Sequence, residues 1–198
     1  MRTIVFVGDS ITEGAADHEI GGWSRRLAAK LPASWRAVHA GVGGDTITLI
    51  LERLERDVLA HQPQVIVLAV GINDSRTWSG VPEVTQQAFA GGLQRFAACV
   101  RAALPETRVL VVGLTPLDES RTMPIAEDLY YAEAAGRDYD AVLQRSAAEH
   151  GWGYVPLQPR FEQAGGAAAL TSDGLHPTPD GHALIAAAVA EALEPWLP

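Results

Sequence analysis

Three short runs of apolar residues constrain this chain more than anything else in it. Ile4–Val7, Val65–Val70 and Val109–Gly113 are continuous and rich in β-branched side chains, with no polar residue alternating through them. That is the pattern of strands covered on both faces, as in a parallel sheet. Tyr154–Leu157 reads as a fourth run and Trp35–His39 as a weaker fifth. Helical patterns fill the gaps. Ile47, Ile50, Leu51, Leu54 and Val58 recur at helical spacing, with Glu52, Arg53, Glu55 and Arg56 on the other side and Asp45 placed as a cap. Leu93, Phe96, Val100 and Leu104 make a second stripe, which Pro105 ends. Trp23–Leu31, the stretch from Tyr130 to His150, and Ala183–Leu193 before Pro195 complete the set. Strand and helix alternating in this way predict an α/β fold with helices on both faces of a sheet of about five parallel strands. Functional groups in such folds gather beyond the carboxyl ends of the strands.

The chain has 198 residues, enough for one domain over residues 1–198, and neither a linker nor a repeat interrupts it. Its net charge of −9 argues against nucleic acid or an anionic membrane surface as a partner. No apolar run approaches the roughly 20 residues that cross a bilayer, so membrane insertion is not expected. Met1 leads straight into a strand pattern without the charged and apolar regions of a signal peptide. That predicts a cytoplasmic protein, although a secreted mature form would read the same way. Cys99 is the only cysteine, so the chain has neither an internal disulfide nor a cysteine metal site. Its neighbours Phe96 and Val100 predict a buried structural thiol. Oligomeric state leaves no signature here.

The strand ends carry the chemistry. The first delivers Gly8-Asp9-Ser10-Ile11-Thr12, the second Gly41-Val42-Gly43-Gly44-Asp45-Thr46, and the third Gly71-Ile72-Asn73-Asp74. Near the other end of the chain stands Asp173-Gly174-Leu175-His176. A hydroxyl, an imidazole and a carboxylate are the parts of a nucleophilic hydrolase. Taken singly, each segment also reads as turn chemistry. The glycine run is not a dinucleotide or phosphate loop, because Thr46 falls where the third glycine is required and no Gly-Lys-Ser/Thr follows. There is no Gly-x-Ser-x-Gly elbow either, since Thr12 stands where its last glycine belongs.

Taken together, the four segments resemble the GDSL or SGNH hydrolase family, which is named for residue types in four ordered blocks. Ser10, Gly44, Asn73 and the pair Asp173 and His176 match those blocks in order. The resemblance implies a three-layer α/β/α sandwich of flavodoxin-like architecture and a serine esterase that needs no cofactor and no metal. It implies Ser10 as nucleophile, His176 as base, and Asp173 as the carboxylate that orients the imidazole. It also implies an oxyanion hole from the N–H groups of Ser10 and Gly44 and the amide of Asn73. His39 departs from the pattern, since many members carry asparagine there; that bears on local packing.

The expected partner is a small-molecule ester, with short acyl or acetyl groups favoured. A carbohydrate acetyl esterase, a lysophospholipase and a thioesterase are the alternatives within the family. Two other classes remain in view. One is a metal-dependent hydrolase built on Asp173, His176, Asp180 and His182. The other is a binding domain that has lost the chemistry. Asp9 and Asp45 are read as supports for the turns presenting Ser10 and Gly44, and Trp78 as lining a substrate cleft. His18, His61 and His150 are read as surface residues. Pro116–Leu129 is either a loop over the site or a plain surface loop.

Overall fold

A computed structural model describes residues 1–197. In chain order the first half runs β1 (Arg2–Gly8), α1 (Ser10–Glu13), α2 (Gly22–Ala28), β2 (Trp35–Gly41), α3 (Ile47–Asp57), β3 (Val65–Ala69), β4 (Thr77–Trp78), β5 (Val81–Pro82) and α4 (Gln86–Ala103). The second half runs β6 (Arg108–Val112), α5 (Glu119–Thr122), β7 (Leu129–Tyr130), α6 (Glu133–His150), β8 (Gly153–Val155), α7 (Gln158–Gln163), α8 (Gly166–Leu170) and α9 (Pro179–Leu193). All five expected strands pair in parallel, in the order β2-β1-β3-β6-β8. Counting sheet members alone, that is the 2-1-3-4-5 order of flavodoxin-like folds. The chain moves outward from β1 to β2, then returns to the other side of β1 with β3. Right-handed crossovers therefore send α2 to one face, where α9 packs against it, and α3, α4 and α6 to the other. Ligands bind in such sheets at this reversal, beyond the carboxyl ends of β1 and β3.

Burial follows the sequence pattern. Ile4, Val5, Phe6 and Val7 of β1 are wholly buried, as are Ile66, Val67 and Leu68 of β3. The edge strand β2 buries only Trp35 and Ala40, which explains its weaker pattern. Phe89, Leu93, Phe96, Ala97 and Val100 of α4 recur every three or four residues and face the core. Thr85 caps that helix by accepting from Ala88 N–H. Thr178 caps α9 in the same way, and Pro179 stands at its first position. No helix among the described residues is long and apolar enough to cross a membrane.

Several expectations need correction. Cys99 is exposed, because it lies outside the stripe that Phe96 and Val100 turn inward. Local composition was the wrong guide there; helical phase decides. Arg53 is buried on the inner side of α3, not on its polar face. The cap of α3 is Thr46, with Asp74 accepting from Ile47 N–H at 3.0 Å, while Asp45 turns inward to Arg53. His18 is exposed, but His61 and His150 are half-buried, and His150 packs on Trp152 with ring centroids 4.8 Å apart. His39 stacks on Phe6 at 5.7 Å and bonds Ser24 Oγ at 3.1 Å, a packing role on the edge strand.

A second, antiparallel sheet of order β5-β4-β7 lies outside the expected pattern. Its hairpin turns at Ser79 and Gly80, both with positive φ (48° and 82°), as a two-residue hairpin turn requires. Its third strand closes the segment Pro116–Leu129, which also contains α5. That segment is thus hydrogen-bonded structure joined to the chain that follows β3.

Candidate active site

Ser10 is the first residue of α1, a single helical turn placed directly after β1. Asp9 supports the turn as expected, its Oδ1 accepting from Ile11 N–H at 2.9 Å. Gly8 has no room for a side chain, because a Cβ there would strike the Ala69 carbonyl of the neighbouring strand and Thr12. The serine is therefore held against the carboxyl edge of the sheet by a strand end that only glycine fits.

Asp173 and His176 form a self-contained loop. Asp173 Oδ1 accepts from the backbone N–H of both Leu175 (3.0 Å) and His176 (2.7 Å). Its Oδ2 meets His176 Nδ1 at 2.7 Å. The far ring nitrogen, Nε2, lies 3.0 Å from Ser10 Oγ. A carboxylate only accepts, so Nδ1 carries the proton and Nε2 presents its lone pair to the serine. Burial raises the Asp173 carboxyl, but hydrogen bonds from the His176 ring and from the His176 and Leu175 N–H groups outweigh it and hold the group below its usual range.

The other carboxyls near the site behave differently. Burial pushes Asp9 up to about 7 against the Ile11 N–H, and Asp74 likewise to about 7 against the Ile47 N–H. Asp173 is therefore the carboxylate that stays charged beside the imidazole. Asp45 is also raised by burial, and Arg53 opposes the shift through a 2.7 Å contact. Arg53 Nη2 also donates to the Ala40 carbonyl at 2.8 Å and the Gly8 carbonyl at 3.2 Å. One buried guanidinium thus ties the ends of β1 and β2 to the loop carrying Gly44.

That loop presents a free donor. Gly43 N–H is taken by Glu13 Oε2 at 2.9 Å and Asp45 N–H by the Val42 carbonyl at 3.2 Å. Between them, Gly44 N–H donates to no described residue. Gly44 has φ +84°, and a Cβ there would meet nothing within 4 Å, so its backbone borders open space. Asn73 is 3% exposed, and its Nδ2 donates to the Asp45 carbonyl at 3.0 Å. Its Oδ1 accepts from Tyr131 OH at 2.8 Å and from Arg76 Nη1 at 3.3 Å.

The metal arrangement does not assemble. Both ring nitrogens of His182 are engaged by backbone, Nδ1 accepting from Trp23 N–H at 3.2 Å and Nε2 donating to the Ala15 carbonyl at 2.8 Å. Asp180 is exposed in the first turn of α9. Among the described residues no three His, Cys, Asp or Glu side chains are placed to hold a metal ion. Trp78 is 44% exposed, donates to Glu83 Oε2 at 2.7 Å and lies under the Arg76 guanidinium. Sequence reasoning missed Tyr131, Arg76, Glu13 and the inward role of Arg53. Glu13 sits in the nucleophile segment itself, but Tyr131 reaches Asn73 from 58 residues away and leaves no local signal.

A nucleophile segment, a glycine, an asparagine and an Asp–His loop thus converge on one sheet edge in the order of the four blocks. The model of the GDSL-like Lipase/Acylhydrolase family matches residues 6–184. The chain belongs to that family. An acetylxylan esterase from Geobacillus stearothermophilus is 28% identical over 93% of this chain and 90% of its own. The alpha2 subunit of platelet-activating factor acetylhydrolase IB from Homo sapiens is 33% identical over 59% of this chain, a stretch covering 45% of that protein. The match therefore spans less than half of the acetylhydrolase subunit. A lipase/acylhydrolase from Enterococcus faecalis superposes with a TM-score of 0.81, covering 100% of this chain and 98% of its own at 24% identity. At that identity the likeness speaks for the fold alone.

Proposed function

We propose that this protein is a serine esterase that hydrolyses small carboxylic esters, acetyl or short-chain acyl, through an acyl-enzyme on Ser10. One observation carries the proposal: the unbroken chain from Asp173 Oδ2 through His176 to Ser10 Oγ, with contacts of 2.7 and 3.0 Å. Ser10 Oγ attacks the carbonyl carbon as His176 Nε2 takes its proton, and Asp173 stabilises the imidazolium. The tetrahedral oxyanion receives the N–H groups of Ser10 and Gly44 and the Asn73 amide. Collapse expels the alcohol, which leaves with the proton from His176. Water then repeats the sequence on the acyl-enzyme and releases the acid. No step draws on a metal or cofactor.

Two relatives named for acetyl substrates favour acetyl over long acyl groups. A carbohydrate acetyl ester is the best-supported specific substrate, because the acetylxylan esterase aligns along nearly the whole chain. Lysophospholipid and thioester substrates have no comparable support. The test uses p-nitrophenyl esters from acetyl to decanoyl beside acetylated xylo-oligosaccharides, with the parent, Ser10→Ala and His176→Ala. Turnover should be highest for acetyl and vanish in both variants, and a serine-directed phosphonate should label the parent alone. Full activity in either variant would overturn the mechanism. Loss of turnover on chelation would point instead to a metal, and an inert, unlabelled parent to a binding domain.

A further inference from the structure

Asn73 is the one member of the proposed oxyanion hole whose donor is a side chain, and a side-chain amide can point either way. Its neighbours remove that freedom. On one side the Asp45 carbonyl can only accept, which demands the NH₂ group. On the other, Arg76 Nη1 can only donate, which demands Oδ1. Tyr131 OH lies 2.8 Å from the same Oδ1, with Arg76 Nη1 on its own oxygen at 3.5 Å. A phenol that accepts from a guanidinium is left to donate to the amide. Burial raises the Tyr131 hydroxyl against the pull of Arg76, so it keeps its proton.

We propose that Tyr131 and Arg76 are positioning residues for catalysis, holding the Asn73 amide with its NH₂ towards the oxyanion and polarising it from behind. The inference rests on the oxyanion role proposed for Asn73. It gives the segment Asp118–Tyr131 a function other than that of a mobile cover. Tyr131 N–H donates to the Thr122 carbonyl and Thr122 Oγ1 to the Tyr131 carbonyl, at 3.0 and 2.7 Å. Asp118 N–H donates to the Gly174 carbonyl at 2.9 Å, and Arg121 to the carbonyls of Thr171 and Ser172. One segment therefore grips the loop that carries His176 and, through Tyr131, the side-chain amide of Asn73. Base and oxyanion donor are set by a shared brace.

The test is a double-mutant cycle on p-nitrophenyl acetate with Tyr131→Phe, Asn73→Ala and the pair. Loss of one hydrogen bond predicts a fall in kcat of about 3- to 10-fold for Tyr131→Phe, with KM nearly unchanged. In the Asn73→Ala background the same change should cost almost nothing. An equal loss in both backgrounds, a loss confined to KM, or no loss in the parent would overturn the proposal. If Asn73→Ala itself leaves kcat intact, the oxyanion reading falls and takes this inference with it, a result distinct from the others. Arg76→Met supplies the same cycle if Tyr131→Phe does not fold.

Discussion

Replacing Asp173 by asparagine keeps the shape of the side chain and reverses the chemistry it enforces. Asp173 Oδ1 accepts two backbone N–H groups, from Leu175 and His176, so an asparagine must place its carbonyl oxygen there. The opposite orientation would set NH₂ against two donors and forfeit two hydrogen bonds of about 1 kcal/mol each. The amide NH₂ is thereby directed at His176 Nδ1, 2.7 Å away in the parent. A donor at that point obliges Nδ1 to accept, which moves the ring proton to Nε2. Nε2 then faces Ser10 Oγ with a hydrogen and cannot act as base. Tautomer reversal of this kind costs about 10⁴ in kcat in a serine protease triad, or roughly 5 kcal/mol of transition-state stabilisation. A loss of about 10³- to 10⁴-fold is expected here. The fold should survive, since both backbone donors keep an acceptor. The Asp173 side chain is also 43% exposed, so water can replace what is lost. The assay is steady-state hydrolysis of p-nitrophenyl acetate between about pH 5 and pH 9, beside a urea melt of each protein. A variant within tenfold of the parent at every pH, with the same profile, would refute the orienting role of Asp173.

Gly44→Ala should fold with a penalty of about 1–2 kcal/mol, because φ +84° strains any residue with a Cβ while nothing lies close enough to clash. Its kcat/KM should fall by at least about tenfold as the methyl group fills the space above the free N–H, and unchanged turnover would remove Gly44 from the site. Arg53→Met leaves the Asp45 carboxylate buried without its cation, and the urea midpoint should report a loss of about 3–5 kcal/mol. A loss below about 1 kcal/mol would show that the ion pair does not hold the loop. Asp9 holds its proton to about pH 7 in the fold and to about pH 4 when unfolded, so its contribution to stability is complete below pH 4 and lost as pH rises through 7. The full effect is at most roughly 4 kcal/mol, and Asp9→Asn should flatten the fall in stability between about pH 4 and pH 7. Identical slopes in parent and variant would exclude Asp9 as its source.

The segments that carry this site could be found in the sequence because each depends on local rules. A strand buried on both faces must be apolar throughout, so β1, β3 and β6 announced themselves, and their parallel order placed Ser10 and Asn73 at one edge. The three-residue spacing of Asp173 and His176 is likewise local: one carboxylate binds the backbone and the ring within a single turn. Two-residue strands carry no readable period, which is why the antiparallel sheet β5-β4-β7 was invisible. Arg53 looked solvent-facing among Glu52, Glu55 and Arg56, because only the approach of Asp45, Gly8 and Ala40 makes a buried guanidinium tolerable. Tyr131 reaches Asn73 across the chain from the end of β7, which pairs with β4. The segments that converge on this sheet edge were thus legible along the chain. The orientation of the Asn73 amide, the protonation of Asp9 and the grip on the His176 loop depend on groups distant in sequence, and tertiary structure alone brings those within hydrogen-bonding reach.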